Sequence, residues 1–487
     1  MIFKFSNLGA IKEAELDLRP LTVIIGPNNS NKTYLAYSLY GLLKNVDEIS
    51  NVIIPEMNIR NKSSYHIEIP MAHLLSAITN QLRYVENEFK EKIGSFFQDN
   101  TQKIFSKTKI KSYVSELELL EACKNLATLG NGFSFKVQVN TSVENLLLDI
   151  IPENETDRDN FKLISSIQKF HKGIYRRLER SLCPQPFLLP AERTALIIVY
   201  KLLANRRYKL LLEEQKSLRK LLRQNNHDSE RQFEILKEQG DIIYPQPIED
   251  FLEFLADIEL KINDRDETNH QFQRLAKQIE TNIQNNNFTL WKRTRFGGQE
   301  LRVHIKHRLD IDLYNASSSI KQLAPLLLYL RYRAQENDLL IIDEPEMNLH
   351  PESQARLLEA LAILVNLGVK VLLTTHSPYF MAHLNNLVSG SPTNKSALKR
   401  QADALYLKDE RAFLHMDKVS AYQMKAYKNE FKLESLKDPD YGIRWDTLSD
   451  VSAEIQQKYF EIHEKGKAPS RVGQKRKTTG KKQKSKS

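Results

Sequence analysis

Four short segments carry residue types whose spacing suits phosphoryl chemistry. Gly26-Pro27-Asn28-Asn29-Ser30-Asn31-Lys32-Thr33 has the length and end residues of the phosphate-loop pattern GxxxxGK followed by Ser or Thr, with Asn31 where the second glycine belongs. That position commonly needs a left-handed backbone, and Asn tolerates it best among residues with a side chain. Lys32 would neutralise the outer phosphates and Thr33 would ligate Mg²⁺. Leu339-Leu340-Ile341-Ile342-Asp343-Glu344-Pro345 delivers two adjacent carboxylates at the end of an apolar run. Asp343 would hold the metal through water, and Glu344 would orient or deprotonate an attacking water. Val371 to Pro378 ends a second apolar run in His376, placed to sense a γ-phosphate. Ser317-Ser318-Ser319 opens a helical pattern, where serine hydroxyls cap the helix or receive a phosphate alongside its unpaired N–H groups. Each segment taken singly has an ordinary reading: a Gly-Pro-Asn turn, a solvated strand end, a structural histidine, a helix cap.

The elements around them are those such chemistry requires. Ile2, Phe3 and Phe5, then Ala14, Leu16 and Leu18, then Leu21 to Ile25 read as three short strands, and Tyr34 to Leu43 continues with helical spacing. Residues 45–185 turn polar and helical, with a weak strand at Phe133 to Val139, and read as an insertion. Phe187 to Leu189 resumes a strand. Helical segments at about 194–224 and 229–262 flank a turn at Asn225 to Ser229 and predict a projecting hairpin. Phe288 to Arg295 and Gln299 to Lys306 predict a β-hairpin, a helix follows from about 319 to 334, and Glu352 to Leu367 is helical between the two apolar strands. The alternation predicts an α/β fold with a mostly parallel sheet, N-terminal antiparallel strands, a helical insertion and a short helical hairpin.

The chain of 487 residues is long enough for two or three compact units. Its net charge of +10 suggests a nucleic-acid binder until it is located: ten basic residues and no acidic ones lie in 465–487, leaving 61 of each sign elsewhere. Lys169, Lys172, Arg176, Arg177 and Arg180 recur at helical spacing, as a solvated face or a phosphate-tracking one. No apolar run approaches a bilayer span and the N-terminus opens as a strand, so no membrane partner and a cytoplasmic location are expected. Cys123 and Cys183 are too few for a disulfide framework.

Taken in order, the lysine loop, the serine-started helix, Asp343-Glu344 and His376 resemble the ABC-type ATPases of the RecF, SMC and OLD kind. The likeness is greatest to compact bacterial AAA-family members found beside a nuclease in phage-defence operons. Asp343 to Pro351 resembles the family's DEPE…LHP pattern, and Leu189-Pro190-Ala191-Glu192-Arg193 its PAER segment. The resemblance covers about residues 1–44, 186–200 and 288–398 as an ATPase head. It leaves 45–185, a hairpin arm at 201–287, a mixed C-terminal subdomain at 399–464 and a disordered basic tail at 465–487 as additions.

The resemblance implies ATP and Mg²⁺ bound at Gly26 to Thr33 with Asp343. It further implies catalytic roles for Lys32, Glu344 and His376, and a homodimer in which Ser317, Ser318 and Ser319 of one copy meet the phosphate held by the other. Ser319 stands where the family has Gly; with Asn31, this predicts slow turnover. Nothing after His376 resembles a nuclease centre or the TOPRIM domain of OLD-type nucleases, so a separate effector protein, such as a nuclease, is the expected partner, with nucleic acid contacted through the basic tail. A nucleotide-held scaffold with negligible hydrolysis and a DNA-repair clamp are the alternatives. The family's glutamine-bearing loop is not assigned.

Overall fold

The computed structural model describes residues 1–48, 65–99, 101, 103–124, 135–142, 145–152, 178, 180–200, 244–261, 270–285, 288–293, 299–305, 309–389, 395–438, 442–444 and 457–458. Met1–Ile443 form one compact unit and Arg444–Ser487 a second, of which only residues 444, 457 and 458 are described. The expected hairpin turn at 225–229, most of the basic helix at 169–180 and the tail at 465–487 lie outside the described residues.

Strands β1 (Ile2–Leu8), β2 (Ile11–Asp17) and β3 (Leu21–Ile25) open the chain and lead into helix α1 (Lys32–Glu48). β4 (Tyr65–Pro70), α2 (Met71–Phe96), β5 (Lys109–Tyr113), α3 (Glu116–Lys124), β6 (Phe135–Thr141) and β7 (Asn145–Pro152) follow, then β8 (Gln185–Leu189). Next come α4 (Gln246–Lys261), α5 (His270–Asn282), β9 (Phe288–Arg293), β10 (Gln299–Ile305), β11 (Leu309–Asp312) and α6 (Ser318–Tyr332). The chain continues through β12 (Asp338–Asp343), α7 (Pro351–Asn366), β13 (Lys370–Thr375), α8 (Pro378–Val388), α9 (Lys395–Ala402), β14 (Val419–Tyr427) and β15 (Glu430–Ser435).

Nine strands form the main sheet in the order β5-β1-β2-β15-β14-β3-β13-β12-β8. β8, β12, β13, β3 and β14 run parallel to one another, β15 is parallel to β2, and the pairs β1/β2, β1/β5 and β14/β15 are antiparallel. The α/β class, the mostly parallel sheet and the N-terminal antiparallel strands are as expected. β3 and β12 are buried at every position, which is why Val23 to Ile25 and Leu339 to Ile342 read as continuous apolar runs rather than alternating ones.

Two segments differ from expectation. Residues 45–185 hold α2 and α3 but also four strands: β4, β7 and β6 make a small antiparallel sheet of their own, and β5 pairs with β1 to extend the main sheet. Of the mixed subdomain expected at 399–464, residues 419–435 belong to the main sheet, where β14 and β15 sit between β2 and β3. Their chain-distant pairing leaves no local signal. The core runs from Phe3, Phe5 and Leu16 through Leu39, Phe89 and Ile341 to Met424, joining the N-terminal strands, α1, α2 and the parallel strands. Cys123 and Cys183 are both buried and free. No helix among the described residues is long and apolar enough to cross a membrane.

Candidate functional site

Because β3, β13, β12 and β8 are parallel, the loops after them emerge at one edge of the sheet, where ligands bind in open α/β folds. That edge brings together the lysine loop after β3, the carboxylates after β12, the histidine after β13 and the Pro190–Arg193 loop after β8.

The loop from Gly26 to Asn31 turns through two left-handed residues, Asn29 at φ 60° and Asn31 at φ 64°. Asn31 thus adopts the conformation for which the pattern reserves glycine, at a cost that Asn bears more easily than a branched residue. Gly26 is required for a different reason: a Cβ there would lie 2.7 Å from Cβ of Met424 on β14. Lys32 is buried and folds back over the loop, its Nζ donating to the carbonyls of Pro27 at 2.9 Å and Gly26 at 3.1 Å. Burial lowers its pKa, opposed by the charges of Glu344, Asp343 and Glu346.

Thr33 Oγ1 donates to Asp343 Oδ2 at 3.0 Å, and Thr374 donates to the other carboxylate oxygen. Asp343 is 2% exposed, and burial raises its pKa against those two bonds. Tyr37, one turn along α1 from Thr33, is buried; burial first, and then Asp343 and Glu192, hold its phenol protonated. Thr33 and Asp343 are adjacent oxygen donors of the hard type that suits Mg²⁺, so the residues present fit that ion.

Glu344 is partly exposed and sits at φ 49°, a left-handed backbone for a long side chain. Its N–H donates to the Thr374 carbonyl at 3.0 Å. His376 Nε2 lies 3.1 Å from Glu344 Oε1 and 3.1 Å from Lys32 Nζ. One ring nitrogen cannot both donate to a carboxylate and accept from an ammonium. Lys32 is satisfied by loop carbonyls, so we assign the Nε2 proton to the bond with Glu344. That bond is the main cause holding the Glu344 carboxyl below the usual range, ahead of the opposing burial and the further pull of Lys32 and Arg193.

Residues that the sequence left without roles hold this cluster in place. Glu346 Oε1 accepts from the His376 backbone N–H at 2.6 Å and from Thr375 Oγ1 at 2.8 Å, fixing the turn that presents the imidazole. Ser377 caps α8 and donates to Gln354 Oε1 at 2.6 Å. Arg193 of the PAER segment is 2% exposed and, among the described residues, donates only to backbone carbonyls. Apart from Pro190, its partners are distant in sequence, so spacing gave no sign of them.

Ser317 caps α6 as expected, its Oγ accepting from the Ile320 N–H at 3.4 Å and lying 3.0 Å from Ser319 Oγ. Ser317 and Ser318 are exposed. Among the described residues, no hydrogen bond joins the three serines to the Lys32 cluster, so a single chain gathers Lys32, Thr33, Asp343, Glu344 and His376 but not Ser317 to Ser319.

Residues 1–381 match the AAA ATPase domain family. No curated protein sequence matches the chain. Similar solved structures include the Smc head domain of Pyrococcus furiosus with an extended coiled coil, bound to the C-terminal domain of ScpA. It is 11% identical, with 93% of this chain and 98% of that chain covered and a TM-score of 0.34. The SMC head domain from Thermotoga maritima is 10% identical, with 90% and 98% covered and a TM-score of 0.31. An SMC head bound to the C-winged helix domain of ScpA is 10% identical, with 89% and 96% covered and a TM-score of 0.33. With a match that runs through the lysine loop, the carboxylate-ended strand and the histidine, the chain belongs to the AAA ATPase domain family.

Proposed function

We propose that the protein binds and hydrolyses ATP, releasing ADP and phosphate, in the manner of an ABC-type head. The observation that carries this reading is the convergence of Lys32, Thr33, Asp343, Glu344 and His376, from three separate elements, within one hydrogen-bonded cluster. Lys32 leaves the loop carbonyls to meet the outer phosphates, and the N-terminus of α1 adds its unpaired N–H groups. Mg²⁺, held by Thr33 and Asp343, would neutralise developing phosphate charge. Glu344, its carboxyl held below the usual range by His376, orients the attacking water and accepts its proton, while His376 senses the γ-phosphate.

The assembly is a dimer with nucleotide between two copies. This rests on the exposure of Ser317 and Ser318 at the start of α6, apart from the cluster in their own chain, so that a second copy supplies them. Control of a separate effector in phage defence, a nuclease above all, is the biological role we attach to this cycle. It rests on the sequence resemblance. A nucleotide-held scaffold is the second reading, favoured by the side chains at Asn31 and Ser319 where the pattern has glycine. Phosphate release from ATP by the wild type, compared with Glu344→Gln, decides between them: turnover well above the variant supports the enzyme, and equal rates support the scaffold.

A further inference from the structure

Among the described residues Arg193 is the one buried arginine, and its bonds are unusual in kind. Nη1 donates to the carbonyls of Asp343 at 2.7 Å and Pro190 at 2.8 Å, Nη2 to the carbonyl of Glu344 at 3.0 Å, and Nε to the carbonyl of Gln322 at 3.3 Å. Among the described residues, no carboxylate lies within ion-pair distance of it. A buried cation without a contacting anion is costly, and hydrophobic packing would fill the space more favourably. What the guanidinium supplies is geometry, since its planar fork of donors binds three segments at once: the loop after β8, the end of β12 and the start of α6.

Two of those segments matter for the chemistry. At the end of β12, Glu344 is held at φ 49°, a conformation that persists only where neighbours impose it. Its carbonyl accepts from Arg193 and, at 3.5 Å, from Gln322 Nε2. At α6, Gln322 follows the serine cap by little more than one turn. Its side chain accepts from Thr194, the residue after Arg193. Arg193 and Thr194 therefore grip the serine helix through the same residue that reaches Glu344.

We infer that Arg193 is a positioning residue that links the serine-capped start of α6 to the backbone of Glu344, so that the aim of the Glu344 carboxylate follows the position of α6. This rests on the proposed ATPase reading. A phosphate that draws on Ser317 and Ser318 from another copy then reports its presence, through α6 and the guanidinium, to the carboxylate of the serine-bearing chain. Hydrolysis at one site becomes conditional on engagement at the other.

The test uses the full chain and the variant Arg193→Lys, which keeps the charge but cannot fork between three segments. Without nucleotide, hydrogen exchange in Arg193→Lys is expected to rise together at residues 319–323 and 344–347, with β3 and α7 unchanged; a rise confined to 190–194 overturns the link. With ATP, kcat is expected to fall by about tenfold or more with KM within about threefold. In a double-mutant cycle with Ser318→Ala, the combined loss is expected to fall short of the product of the single losses by about fivefold. Losses that multiply overturn the proposal, because a merely structural arginine would act independently of the serine. Should Arg193→Lys fail to fold, Gln322→Leu cuts the side-chain half of the link and is read against the same outcomes. A wild type that does not hydrolyse ATP sinks the functional reading, while the exchange experiment still decides the link.

Discussion

The imidazole of His376 stands 3.1 Å from the Glu344 carboxylate, across the gap between two adjacent parallel strands, and its hydrogen bond is the main cause holding that carboxyl below the usual carboxylate range. Glu344 is an ionised acceptor at neutral pH, as an ordinary glutamate is, and the bond extends that state to lower pH. Replacing it with Gln keeps the shape and removes the acceptor, so Glu344→Gln is expected to lower kcat by about a hundredfold or more while retaining ATP binding. Single-turnover assays beside equilibrium binding measure both.

In His376→Ala, Glu344 loses the interaction that lowers its pKa. The folded-state pKa then rises toward the ordinary carboxyl value, so a larger fraction is protonated at mildly acidic pH. The acid limb of the kcat–pH profile should move to higher pH, together with a loss of rate at pH 7. An unmoved acid limb would show that another group sets it.

Asn31 at φ 64° and Gly9 at φ 58° meet across the base of the phosphate loop, where a Cβ on Gly9 would lie 2.8 Å from Asn31 Nδ2 and 3.3 Å from Tyr34. Gly9→Ala incurs left-handed strain and pushes on Asn31 together, costing about 1–2 kcal/mol from the strain alone. Urea denaturation should show the loss, and ATP affinity should weaken with it. Asn31→Gly, which removes the strained side chain, should keep stability and raise turnover.

Asp338, at the opposite end of β12 from the site, is pushed up to about 6 by burial, against bonds from Tyr329 and the Gln335 N–H. Its folded pKa exceeds the unfolded value of about 3.9, so the folded state binds the proton more tightly. The penalty for burying the charge is present in full above about pH 6 and disappears as pH falls toward 4. Relative to Asp338→Asn, wild-type stability should therefore gain on acidification through that window, measured as the difference between two urea series.

The parts of this site that are legible in the sequence are local ones. The five buried residues of β3, the Gly-Asn turn and α1 are contiguous, and so are the apolar run of β12 with its acids and the histidine after β13. Ser317 announces its cap by position. What escaped notice depends on distant pairing. β14 has mixed composition and reads as nothing in particular, yet Met424 on it explains why residue 26 is glycine. β5 offers only two buried positions in five residues and gains its identity from β1. Arg193 finds three of its four partners more than a hundred residues away, at Gln322, Asp343 and Glu344. A basic residue in a short motif carries no mark of burial.

The most direct test is the mass in solution of Glu344→Gln, by light scattering, with ATP and Mg²⁺ added and then withheld. The account predicts about twice the single-chain mass with one nucleotide retained per chain when ATP is present, and a return to the single chain when Lys32→Met is introduced in the same background. A particle that stays at one chain and retains no nucleotide would contradict it.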